Sequence, residues 1–388
     1  MVPKQPALAL GLATLLGIGI TSDASDQVFQ EVAQHYAHLA YTEYSDALAQ
    51  AQRLEGSLAR FIEDPSPTTM EAARTAWIRA RTAYLPTEAF RFYGGPIDDE
   101  RGLEPMINGW PLDESYIDYV EGAPEAGIIQ DTENYPRLTP GLLQRQNERA
   151  GETAITCGYH AIEFLLWGQD HFEDSPGQRR FTDYTSAPNA ARRGHYLRSC
   201  AELLSRHLAI LKADWEPDDP LNYRARFLES NPAASIWFAI YGLKTFVGTE
   251  LAGERLLVAW DTQAQEDEHS CFSDTTLQDL RGDVLGLIYL FSGDYPGIND
   301  KPVRGPGLRA ALQAVDPEST EQLADELDRA LKLVEAIPSP FDQAILGDRR
   351  SPGREAILAS VEQLESIAAR LADFEQCLMV RQRSSSRR

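Results

Sequence analysis

The residues best suited to chemistry in this chain are His160 and Glu163, in the run Gly158-Tyr159-His160-Ala161-Ile162-Glu163. At i and i+3 of a helix their side chains leave the same face. An imidazole and a carboxylate so placed can share a metal ion, or the carboxylate can orient the ring and raise its basicity. The next residues, Phe164-Leu165-Leu166-Trp167, are strongly apolar, so this helix is expected to be buried. Burial makes an unsatisfied polar pair costly. Gly158 permits close approach of a backbone or a ligand. The same spacing also fits a hydrogen-bonded pair with structural work only. A helical zinc peptidase draws two histidines and a glutamate from five residues. Here one helix supplies one of each, so that chemistry needs ligands from elsewhere.

A second constellation is Glu88-Ala89-Phe90-Arg91-Phe92, followed by Gly94-Gly95-Pro96-Ile97-Asp98. Glu88 and Arg91 lie one turn apart, and the Gly-Gly-Pro turn aims Asp98 back toward them. An ion pair or a site fits equally well. A third lies at Glu250 through Arg255 and at Glu266 through Asp274. Its acidic run fits a solvated helix end. Yet Cys271-Phe272 sits inside it, beside His269, Ser270 and Asp274, which suits the wall of a cleft. Ser270 lacks the Gly-x-Ser-x-Gly elbow of a serine hydrolase.

The elements that must position these groups are helical. Apolar residues recur at three- and four-residue steps from Gln27 to Phe61, and helices are expected at Met70–Tyr84, Thr153–Trp167 and Ala190–Asp214. Thr68 or Thr69 is expected to cap the second helix, and Pro86 to end it. The Gly- and Pro-rich stretch Tyr93–Asn147 is expected to be irregular. After Glu216-Pro217-Asp218-Asp219-Pro220, a candidate boundary, helices are expected at Tyr223–Glu229, Ala233–Gln265, Thr275–Phe291, Gly307–Ala314, Thr320–Ile337 and Gly353–Val380. No alternating β-branched run is long enough for a sheet. The expected fold is all-α, two four-helix-bundle-like domains at 27–215 and 221–380, with a disordered tail at 381–388.

The chain has 388 residues, 43% of them hydrophobic, and a formal net charge of -23. That balance disfavours nucleic acid and anionic lipid and favours cations or molecules carrying them. Residues 1–24 have the form of an export signal: Lys4, an apolar stretch from Ala7 to Ile20, and small residues before a cleavage point. Export permits disulfides among Cys157, Cys200, Cys271 and Cys377 in any of three pairings. Four free, buried thiols are the alternative.

Together the three segments resemble the imelysin-like family of exported bacterial proteins, which carry a Gly-x-His-x-x-Glu motif. The resemblance runs from about Gln27 to Val380. It implies two helical bundles with an interdomain cleft lined by the His160–Glu163 helix. It also implies a periplasmic protein, or one at the outer membrane, linked to iron regulation and uptake. The family was first classed as metallopeptidases. This chain departs from the pattern at Thr275-Thr276-Leu277, where relatives carry Asn-Thr-His.

The expected function is therefore a periplasmic ligand- or metal-binding component of iron acquisition. Its partners would be iron or an iron-containing small ligand, and a membrane transporter. His160, Glu163 and Glu88 are the expected ligands for iron or zinc. Arg91, Asp98, Gly158, Glu250, Arg255, His269, Ser270 and Asp274 are expected to line the binding site. The alternative is a metal-dependent peptidase with Glu163 as general base and His160 as zinc ligand.

Overall fold

Helix-starting chemistry punctuates the chain of the computed structural model, which describes residues 22–298 and 301–385. The expected signal segment, up to residue 21, lies outside those residues. Helix α1 runs from Ser22 to Glu63 and α2 from Pro67 to Tyr84. Ser66, not Thr68 or Thr69, caps α2: it is extended, its hydroxyl accepts from the Thr69 amide, and Thr69 answers the Ser66 amide. Proline at the first helical position explains the choice, because its missing N–H is one a helix start leaves unpaired anyway. The tight turn Leu85–Phe90 follows at Pro86.

The irregular stretch holds three short helices, α3 (Glu104–Ile107), α4 (Glu114–Ile117) and α5 (Pro140–Gln146). The motif helix α6 spans only Tyr159–Trp167, and α7 spans Ala190–Asp214. The expected start of α6 at Thr153 fails at Gly158, which adopts φ 93°. A Cβ there would meet the Ile107 carbonyl at 2.6 Å, so glycine is what lets α3 and α6 touch.

In the second half come α8 (Tyr223–Glu229) and α9 (Pro232–Thr245). The single helix expected from Ala233 to Gln265 is broken: Phe246–Leu257 is a π-helix, and α10 (Val258–Thr262) resumes the α form. Because π-helical bonds close at i+5, Glu250 and Arg255 stack, with Arg255 Nη2 donating to Glu250 Oε1 at 3.0 Å. Then follow α11 (Thr276–Ser292), a two-residue antiparallel pair β1 (Asp294–Tyr295) and β2 (Val303–Arg304), and α12 (Leu308–Gln313). The chain ends with α13 (Pro317–Glu335), α14 (Phe341–Ala344) and α15 (Pro352–Ser385). Residues 381–385 thus continue a helix where a disordered tail is expected.

The fold is all-α apart from that one pair. Helix α1 packs on α2 and α7, while α15 packs on α9, the π segment and α13. The turn Leu85–Phe90 packs on α11, where Gly286 lets the Pro86 backbone press close. A continuous apolar core runs from Phe29 to Leu378. Among the described residues no helix is long and apolar enough to cross a membrane. The four cysteines are free; three are buried and Cys377 is exposed.

Candidate functional site

The apolar environment of α6 sets the chemistry of its two polar residues. The helix is pinned from three sides. Trp77 donates its indole N–H to the Tyr159 carbonyl at 2.9 Å, the Tyr184 hydroxyl donates to Leu165 at 2.7 Å, and Arg74 donates to Leu166 at 2.9 Å. His160 and Glu163 have no exposed surface. His160 Nδ1 lies 2.9 Å from Glu163 Oε2. The other carboxyl oxygen, Oε1, accepts from both the Ser273 amide (3.0 Å) and the Ser273 hydroxyl (2.6 Å).

Burial pushes the Glu163 carboxyl up to about 8, against the lowering effect of Ser273. Burial, with Arg81 and His269 adding to it, holds His160 well below its ordinary value. Both shifts favour the uncharged form of the group. Because Ser273 fills Oε1 with two donors, Oε2 is the oxygen left to face His160 Nδ1. The other ring nitrogen, His160 Nε2, is a buried atom without a hydrogen-bond partner.

Glu88 does not join this pair. Arg91 (3.1 Å) and Arg255 both donate to its Oε2, and Asn108 donates to its Oε1 at 3.1 Å. Burial works to raise this carboxyl, and Arg255 and Arg91 outweigh it, holding it below the usual range. With both oxygens engaged, Glu88 serves as an anchor for two guanidiniums. Of the expected ligands, His160 and Glu163 face each other, while Glu88 is engaged by Arg91, Arg255 and Asn108. Among the described residues, the three-member cluster of metal-type donor atoms within 4.8 Å is Asp170, Asp274 and Asp342.

Around Glu88 lies a buried network that the sequence reading met only in part. Arg255 also donates to Asp283 at 2.8 Å. Arg91 contacts Glu104 at 3.2 Å, Glu250 at 3.7 Å and Asp98 at 3.7 Å. Asp98 itself accepts from the Phe92 amide at 2.5 Å. Arg81 of α2 pairs with Asp279 of α11 at 2.7 Å and donates to Asn108. Asp279 further receives the Ser270 hydroxyl at 2.7 Å and faces His269 Nδ1 at 3.0 Å. The expected residues Glu88, Arg91, Asp98, Glu250, Arg255, His269 and Ser270 are thus brought into one network.

Asp274 is not brought into it and lies with Asp170 and Asp342. Gly158 shapes the start of α6, where it meets the Ile107 backbone. Arg81, Asn108, Trp110, Ser273, Asp279 and Asp283 were missed as site residues. A usable signal existed for two of them. Asp279 and Asp283 repeat at i+4 beside Leu280, Val284 and Leu287, so charge sits within a buried stripe.

The network forms the wall of a cleft of about 380 Å³. Its lining includes the carboxylates Glu104, Glu148, Glu152, Glu250, Glu254 and Asp267, set against Arg91, Arg255 and His269. Burial pushes Glu104 up to about 7, with Arg91 opposing. The His160 ring is one layer behind this wall. It lies 4.8 Å from the His269 ring and 4.9 Å from that of Trp110, both of which line the cleft.

An all-helical chain with a buried His-x-x-Glu helix behind an acidic cleft defines a narrow class of protein. Residues 40–371 match the imelysin family, and the chain belongs to it. It is 24% identical over 332 residues to iron-regulated protein A of Synechococcus elongatus, covering 84% of this chain and 79% of that one. An iron-regulated protein A precursor from Parabacteroides distasonis shares the fold at a TM-score of 0.71 and 18% identity, covering 91% of this chain and 95% of that one. An imelysin-like protein from Psychrobacter arcticum does so at 0.62 and 16%, covering 89% and 93%.

Proposed function

We propose that this protein is an exported, periplasmic binding component of iron acquisition, its cleft between the bundles 27–215 and 221–380 receiving iron or an iron-containing small ligand. The single observation that carries the reading is the composition of the cleft: six carboxylates against two guanidiniums in about 380 Å³. Carboxylate oxygens suit hard cations, and the arginines suit an anionic group on the same ligand. Kinship with iron-regulated protein A supports iron as the cargo. His160 and Glu163 serve this site as a neutral pair that holds the Ser273 loop, and with it His269, against the cleft. A membrane transporter is the partner that would take the cargo onward.

The test is calorimetric titration of the protein lacking residues 1–24 with ferrous iron and with ferric citrate. Binding weakened at least tenfold in a Glu104→Gln, Glu254→Gln double variant is the expected result. Absence of binding, or binding that the double variant leaves unchanged, overturns the reading.

A further inference from the structure

Away from the cleft, four carboxylates converge where the loop after α6, the loop before α11 and helix α14 meet. Donor atoms of Asp170, Asp274 and Asp342 lie within 4.8 Å of one another. Glu268, completely buried, adds its carboxyl in hydrogen-bond reach of Asp342. Three of the four are built alike, with one oxygen fixed by a donor. The Phe172 amide holds Asp170 Oδ1 at 2.9 Å, Gln265 holds Asp342 Oδ2 at 3.0 Å, and Thr276 holds Glu268 Oε2 at 3.3 Å. Asp170 Oδ2, Asp342 Oδ1, Glu268 Oε1 and also Asp274 Oδ1 are buried oxygens that meet no N–H or hydroxyl donor; what faces them is one another's carboxyls, Asp170 with Asp274 and Asp342 with Glu268. Asp342 is only 4% exposed.

Clustered acids are common on surfaces, where solvent screens them. Here two are buried, and among the described residues no arginine or lysine forms an ion pair with any of the four. Buried like charges at this range need a cation or shared protons to coexist. The donors are all oxygen, with no imidazole or thiolate in the set, which selects a hard ion. Their mixed orientation from three separate segments suits the irregular coordination of calcium better than the strict octahedron of magnesium.

We propose that Asp170, Asp274, Asp342 and Glu268 form a calcium-binding site distinct from the cleft. The ion ties the end of α6 and helix α14 to the loop that carries His269, Ser270 and Ser273. It acts as a strut for that loop, which in turn holds Glu163. Half-buried Asp170 and Asp274 form the entry side, while Asp342 and Glu268 close the inner side.

The experiment is calcium titration of chelator-treated protein lacking residues 1–24, read by calorimetry and by melting temperature, with magnesium in parallel. One calcium bound per chain, with a rise in melting temperature and at least tenfold weaker magnesium, is expected. Asp342→Asn and Asp170→Asn should each weaken calcium at least tenfold; Asp170, at the rim, covers the case in which the inner variant does not fold. The Glu104→Gln, Glu254→Gln protein should bind calcium as the parent does, which separates this site from the iron reading. No calcium binding, or binding unchanged in the folded Asp170→Asn protein, shows instead that the acids share protons, and overturns the proposal.

Discussion

Ser273 places two donors on a single oxygen of Glu163, its hydroxyl at 2.6 Å and its amide at 3.0 Å, and so dictates which oxygen faces His160. A neutral glutamic acid in this setting is closely mimicked by glutamine, whose amide can donate to His160 Nδ1 while its carbonyl takes both Ser273 donors. Glu163→Gln should therefore keep stability within about 1 kcal/mol, while Glu163→Ala, which orphans the Ser273 amide and His160 Nδ1 and leaves a void, should cost about 2–4 kcal/mol. Ser273→Ala, with the amide donor retained, should cost about 1–2 kcal/mol. Urea unfolding checks all three, and a glutamine variant as damaged as the alanine one would mean that Glu163 is ionised.

Arg255 is the hub of the buried charges, bonded to Glu88, Asp283 and Glu250. Arg255→Ala leaves Glu88 and Asp283 buried without their main partner, and removing one side of a buried pair costs about 3–5 kcal/mol. Arg255→Met in a Glu88→Gln background should recover part of that loss, because the stranded charge is gone. Guanidinium denaturation of the two proteins measures the difference.

The pH dependence of stability has a definite sign. In the unfolded chain Glu163 and Glu104 are ionised above about pH 5. In the folded protein they hold their protons up to about 8 and about 7. At these two acids the unfolded state thus binds fewer protons, and their contribution to stability falls as pH rises from 5 toward 8, by about 1.4 kcal/mol per pH unit for each proton involved. His160 and His269 shift the other way, since burial keeps both neutral when folded, and they remove stability only below about pH 6.5. Between pH 6.5 and 8 the acids decide, so the melting temperature should decline, and decline less steeply in Glu163→Gln. A flat profile in that window contradicts the assignment.

Thiol reactivity offers a simpler check. Cys157, Cys200 and Cys271 are buried, and burial pushes their thiols up, to about 12 for Cys157, whereas Cys377 is exposed. Native protein should give one fast equivalent with a disulfide reagent and four after denaturation. Cys377→Ser should abolish the fast phase.

The sequence disclosed the helices because their periodicity is local, and α7 appears at the expected Ala190–Asp214. It disclosed His160 with Glu163 for the same reason, three residues being a single turn. The partners of that pair escaped because Ser273 is 110 residues from Glu163 and Arg81 is 198 from Asp279, distances over which spacing carries no information. The pairing of Glu88 with Arg255 is equally hidden, since that arginine arrives from a π segment that α-periodicity cannot anticipate. The tri-aspartate cluster was invisible in the same way, being assembled from two loops and a one-turn helix.

That π segment, finally, makes the chain intolerant to changes of length at one particular place. Around an ordinary helix of 3.6 residues per turn, residues five apart point about 140° away from each other. Glu250 and Arg255 meet only because the wider coil brings positions five apart into line. Deleting a single residue between them, at Gly253 for instance, would rewind the coil and swing Arg255 out of phase with Glu88 and Asp283. Substitutions there can be absorbed by repacking, but a deletion would rotate the positive centre of the network away from all of its counter-charges at once.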